Sequence, residues 1–196
     1  MTTLLLVRHG ETDWNASGRW QGHTDIAMNE RGREQARKLA DELASGAHIA
    51  AIYTSDLGRA RETATIIGER LGVPVVSDPR LREIFFGHWE GLTTPEIEER
   101  YPEEVAAWRA DDGSNRFGGG ETYVEMGERV VAALAEIAAR HPDGAVVVVL
   151  HGGPIRSVLA HAAGITYGEQ RKRQAHLQNC GIVRVGVRDG VFTGID

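Results

Sequence analysis

Thr3-Leu4-Leu5-Leu6-Val7 runs into Arg8-His9-Gly10, and Val146-Val147-Val148-Val149-Leu150 runs into His151-Gly152-Gly153. An unbroken apolar run of this length, rich in branched side chains, reads as a strand buried on both faces of a parallel sheet. Ligands of open α/β sheets bind just beyond the carboxyl ends of such strands. Two histidines at two strand ends, each followed by a glycine that permits close approach, read as one site reached from two strands.

Between these strands the pattern alternates. Glu11 to Asn29 is polar and too irregular for a long element. A helix is expected from about Glu30 to Ala44, striped by Ala36, Leu39, Ala40 and Leu43 and stopped by Gly46. Ile49 to Tyr53 reads as a strand. Ser55 then caps a helix ending at Gly72, with Ala60, Ala64, Ile67 and Leu71 inward, and Val73 to Val76 reads as a third strand. Residues 78–120 look like an insertion over the active site, with small helices near Pro95–Arg100 and Glu103–Ala110 and a flexible hinge at Gly118-Gly119-Gly120. Thr122 and Glu125 form a capping box for a helix to about Arg140, striped by Met126, Val130, Leu134 and Ile137. Pro154 suits the start of the helix after His151, and Gly181 to Ile195 reads as a hairpin turning at Asp189-Gly190. This alternation predicts an α/β fold, a three-layer αβα sandwich around a mostly parallel sheet.

Composition narrows the partners. A chain of 196 residues, 41% hydrophobic, suffices for a single domain spanning 1–196. Its net charge of −6 argues against nucleic acid and anionic membranes. Only Lys38 and Lys172 are lysine, so the cations are almost all arginine, which grips phosphate bidentately. Cys180 is the only cysteine, no run reaches membrane-spanning length, and the chain enters a strand at once. A soluble cytoplasmic protein is expected.

Arg8-His9-Gly10-Glu11-Thr12 is the sharpest local signal. A histidine near a strand end is, alone, more often a packing residue. Here Arg8 adds a fork of donors, a neutral imidazole is a competent nucleophile toward phosphorus, and Gly10 removes a Cβ that would block a tetrahedral anion. Arg59 falls in the first turn of a helix, where the macrodipole disfavours a cation. A shared anion explains it better than a solvated side chain. His151 repeats the geometry, and its protonated form would stabilise charge on a transferring group. Glu83 adjoins Phe85 and Phe86, whose desolvation would suit it to protonate a leaving oxygen. His23 and His88 lie beside these motifs, whereas His48, His141, His161 and His176 have no constellation around them. Trp14, Trp20, Trp89 and Trp108 read as packing or pocket walls.

Several spaced motifs together resemble one family. R-H-G-E-T-D-W-N at 8–15, R-W-Q-G at 19–22, S-D-L-G-R-A-R-E-T-A at 55–64, L-R-E-I-F-F-G-H-W-E-G at 81–91, G-G-E-T at 119–122 and H-G-G at 151–153 stand in the order of the histidine phosphatase superfamily, phosphoglycerate-mutase-like branch. The resemblance covers essentially the whole chain and is strongest to the small broad-specificity phosphatases. It implies hydrolysis of a small phosphorylated metabolite through a phosphohistidine, without metal or other cofactor. His9 would be the nucleophile, and Arg8, Arg59 and His151 would hold the phosphoryl oxygens. Glu83 would serve as acid and then base, with Asn15, Gln21, Gly22 and Gly152 lining the pocket. A loose phosphoryl transition state needs in-line placement and cationic donors more than covalent help.

The nearest rival is a cofactor-dependent phosphoglycerate mutase. The chain departs from that pattern: Gly153-Pro154 stands where mutases carry N-S, no N-K follows Leu92, and the insertion lacks paired arginines. Arg8, Arg59 and His151 suffice for one phosphoryl group, and nothing in the sequence aims Arg19 or Arg82 at a second. A non-catalytic phospho-ligand binding module would be expected to have lost the nucleophile or the acid. A zinc site from His9, His151 and Glu83 lacks close ligand spacing. The substrate and the oligomeric state stay open, a homodimer included.

Overall fold

The computed structural model describes residues 1–110, 112–173 and 177–195. In chain order the elements are β1 (Thr2–Arg8), α1 (Asp13–Ala16), α2 (Glu30–Ala44), β2 (Ile49–Thr54), α3 (Gly58–Leu71), β3 (Val75–Ser77), α4 (Thr94–Arg100), α5 (Pro102–Ala110), α6 (Tyr123–Arg140), β4 (Ala145–Leu150), α7 (Gly152–Ala163), α8 (Tyr167–Arg173), β5 (Ile182–Arg188) and β6 (Val191–Ile195). The six strands form one sheet in the order β3-β2-β4-β1-β5-β6. The first four in that order are parallel, and the β5–β6 hairpin adds an antiparallel edge.

Side chains alternate along each strand, so every strand feeds two cores. Leu5, Val7, Val147, Val149 and Ile52 pack against α2 and α3 through Leu39, Leu43, Ala60, Ala64 and Ile67. Leu4, Leu6, Val146, Val148 and Leu150 pack against α6 and α7 through Met126, Val130, Leu134, Ile155 and Val158. This is the expected three-layer sandwich. Leu81, Ile84, Phe86, Trp89, Ile97, Val105 and Phe117 join the second of these cores.

Local signals hold where the chemistry is strong. The Thr122–Glu125 capping box is present, and Asn29 caps α2 by accepting from the Gly32 amide at 2.9 Å. Others need correction. Ser55 does not cap α3: its hydroxyl accepts from the Leu57 amide at 3.3 Å, and Leu57 is the cap residue, without a side-chain bond. The third strand begins at Val75, not Val73. Gly118-Gly119-Gly120 is no hinge, because a Cβ on Gly120 would stand 1.8 Å from the Phe85 carbonyl oxygen. Gly118 and Gly120 are required by close backbone packing, and Gly119 by its positive φ of 73°. The α1 turn and α8 were not foreseen from sequence.

Candidate active site

Register brings the two histidines together. Val7 pairs with Val149 and Arg8 with Leu150, so His9 and His151 leave adjacent parallel strands side by side. The His9 amide donates to the Leu150 carbonyl at 3.0 Å, and the two imidazole centroids lie 5.2 Å apart. Both rings are buried. His9 Nδ1–H donates to the Gly10 carbonyl at 2.7 Å, which fixes the tautomer and leaves the Nε2 lone pair for attack. His151 is the cap residue of α7, and neither ring nitrogen has a partner among the described residues.

Two arginines converge on this pair. Arg59, fully buried in the first turn of α3, donates from Nη2 to the Gly22 carbonyl at 2.8 Å and from Nη1 to the Thr24 carbonyl at 3.0 Å. Arg8 donates from Nη1 to the Leu177 carbonyl. The Nε of each is buried without a partner among the described residues. Burial lowers both guanidiniums, Arg59 to about 10, and the charge of Glu83 opposes that effect. Burial also drives both histidines well below their ordinary value, and Arg59 adds to it. This environment, with no anion bound, disfavours the protonated His151 that was expected and favours the neutral imidazole, which can donate one N–H to an oxygen.

Glu83 faces the cations with Oε1 accepting from the Ile84 amide at 3.0 Å and Oε2 from the Gly153 amide at 3.3 Å. A Cβ on Gly153 would stand 2.3 Å from Glu83 Oε1, so this approach requires glycine there. Of the two aromatics expected to desolvate Glu83, Phe86 is buried and lines the same cavity, whereas Phe85 does not share its burial. It is 41% exposed, and its ring lies 5.3 Å from that of His23. Gly10 also has another reason than a tetrahedral anion. Its missing Cβ makes room for Met28 Sδ and the Gly32 carbonyl, which would lie 2.5 and 2.6 Å away.

The result is a cavity of about 420 Å³ at the carboxyl edge of the sheet, lined by Arg8, His9, Asn15, Gln21, Gly22, Arg59, Glu83 and Gly152 among others. His151 is buried beside His9 and is not among the residues that line it. Asn179, missed in the sequence, donates from Nδ2 to the His9 carbonyl at 2.9 Å and to Asn15 Oδ1 at 3.2 Å. Glu90 was missed as well: it accepts from the His23, Thr24 and Phe86 amides and so holds the loop on which Arg59 rests. His88 sits outside, beside Glu104 and Tyr101. His141 bonds the Tyr53 hydroxyl, His161 packs against Phe192, and His176 lies outside the described residues.

The cation count from sequence also changes. Arg156 and Arg171 line the same cavity, as does Arg19, whereas Arg82 is tied to Asp56. A shortage of cations therefore does not separate phosphatase from mutase. Arg156 follows Gly152 by one helical turn, a signal available in the i,i+4 spacing.

The model of the histidine phosphatase superfamily, branch 1, matches residues 4–194. The chain belongs to the histidine phosphatase superfamily. This histidine phosphatase is 39% identical over 165 residues to phosphoserine phosphatase 1 of Hydrogenobacter thermophilus, covering 84% of this chain and 78% of the relative. It is also 39% identical over 191 residues to a probable phosphoglycerate mutase, GpmB, of Serratia proteamaculans, covering 94% and 85%. Among solved structures, a mycobacterial glucosyl-3-phosphoglycerate phosphatase complexed with VO3 superposes with a TM-score of 0.88 at 33% identity, covering 98% of this chain and 96% of the other. As a histidine phosphatase the chain is a phosphoric monoester hydrolase.

Proposed function

We propose that this histidine phosphatase hydrolyses small phosphomonoesters by passing the phosphoryl group through His9. The observation that carries the reading is the His9 imidazole, held as its Nδ1–H tautomer by Gly10 and flanked by two buried guanidiniums. His9 Nε2 attacks phosphorus as the bond to the leaving oxygen breaks, and Glu83 gives its proton to that oxygen. Water then attacks the phosphohistidine, Glu83 takes a proton from it, and phosphate leaves with His9 restored. Arg8 and Arg59 meet the charge on the equatorial oxygens, and His151 adds a neutral N–H donor.

The alcohol occupies the outer cavity, walled by Trp20, Trp108 and Tyr123 and carrying Arg156 and Arg171. That lining suits a leaving group with its own carboxylate, as phosphoserine has. Hydrolysis rather than return of the phosphoryl group is supported by the phosphatases among its relatives. Rapid quench with a labelled phosphomonoester is expected to trap an acid-labile, base-stable adduct that His9→Ala lacks. Unimpaired turnover in His9→Ala would overturn the reading. Phosphoglycerate interconversion well above phosphate release on one preparation would favour the mutase.

A further inference from the structure

We propose that Arg129 is a positioning residue for the proton donor, acting on Glu83 through the main chain that carries it. Glu83 lies on residues 82–86, a stretch with neither helix nor strand. Such a stretch has no ladder of its own to hold a carboxyl group within the few tenths of an ångström that proton transfer needs.

Arg129, on the second turn of α6, supplies what is missing. Its Nη1 donates to the carbonyls of Arg80 and Arg82, both at 2.8 Å. Its Nη2 donates to the Glu83 carbonyl at 2.9 Å and to Glu121 Oε2 at 2.9 Å, and its Nε donates to Glu121 Oε1 at 2.7 Å. All five guanidinium N–H bonds are thereby committed, and none is left for substrate. Glu121 extends the grip: its Oε2 accepts from the Phe85 amide at 3.2 Å, and its own amide donates to the Phe85 carbonyl at 2.9 Å. His23 Nε2–H donates to the same Glu83 carbonyl at 2.8 Å. The planar fork holds three carbonyls within four residues at once, which the ammonium of lysine does not match. Arg129 is thus tied by hydrogen bonds to the acid, whereas Arg8, His9 and Arg59 are carried by the end of β1 and by α3, and only its charge reaches His151.

The inference rests on Glu83 as the acid, and one experiment separates the two. Values of kcat/KM report the transfer to His9 whichever step limits turnover, and are measured for nitrophenyl phosphate and for an alkyl phosphate. A nitrophenolate leaves without a proton and an alkoxide does not. Glu83→Gln is the reference, Arg129→Met and Arg129→Lys are the tests, and melting temperatures are recorded throughout. Arg80→Met is the control, because it removes the Asp78 and Glu136 contacts on the same segment without touching Glu83. A misplaced acid is expected to cost the Arg129 variants about 10-fold to 100-fold more on the alkyl than on the aryl ester, with lysine no better than partial rescue. The control is expected to leave the ratio unchanged. If Arg129→Met does not fold, Glu121→Gln, which keeps α6 and loses half the clamp, carries the same comparison.

A selective Glu83→Gln with unselective Arg129 and Glu121 variants overturns the positioning role alone. An unselective Glu83→Gln overturns the assignment of the acid, and this inference with it.

Discussion

The paired imidazoles make the acid stability of the fold calculable. His9 and His151 are buried and held far below their ordinary value by burial and by Arg59. Unfolded, each binds a proton near pH 6.5; folded, each stays neutral. The unfolded state therefore takes up more protons as pH falls below 6.5, and stability present above that pH is lost on the way down to the folded values. With both rings still neutral at pH 5.5, each costs about 1.4 kcal/mol between pH 7.5 and 5.5, and the pair about 2.7 kcal/mol. Urea unfolding at the two pH values measures the total, to which every other titrating group contributes. The double variant His9→Asn/His151→Asn lacks only this pair, so its loss should be smaller by about 2.7 kcal/mol. Parallel pH dependence in the two proteins would mean that the folded rings carry protons, and would refute the neutral-imidazole account of the site.

Two further outcomes are expected. Arg59→Met should lower kcat/KM by at least about 100-fold, the scale of one lost transition-state donor, with little change in melting temperature. The burial that lowers Arg59 to about 10 already opposes its two carbonyl bonds, so a large loss of stability would contradict this. Phosphate release should be indifferent to excess chelator, because the guanidiniums of Arg8 and Arg59 supply the positive charge at the site. Inactivation reversed by added zinc or magnesium would count against the arginine-based mechanism.

Much of the site was legible because its parts sit where short-range rules are strong. The two branched apolar runs could only be central strands, and the residues beyond them had to share an edge. Thr122 and Glu125 announced α6 through a local exchange of hydrogen bonds. What escaped depends on distant elements. Asn179 reaches His9 only because β5 runs antiparallel to β1, and the bonds of Arg129 join α6 to a segment more than forty residues earlier. Adjacency also misled. Phe85 neighbours Glu83 in sequence, yet its ring lies toward His23 while Phe86 is buried. Ser55 looked like a helix cap because its residue type is right, but it stands two residues before the cap and its hydroxyl accepts from the Leu57 amide.

The sheet order has a bearing on how the enzyme comes into being. β1 is made before both its neighbours, β4 and β5, which lie far along the chain from it. Until Ala145–Arg188 has left the ribosome, β1 has an unpaired backbone on each side and a sticky apolar surface on each face. β2 and β3, with α3 between them, can pair earlier, since only a short loop must close. The reacting groups therefore meet only after β4 has been made. A prematurely terminated chain lacking β4 is left inert and aggregation-prone rather than weakly active.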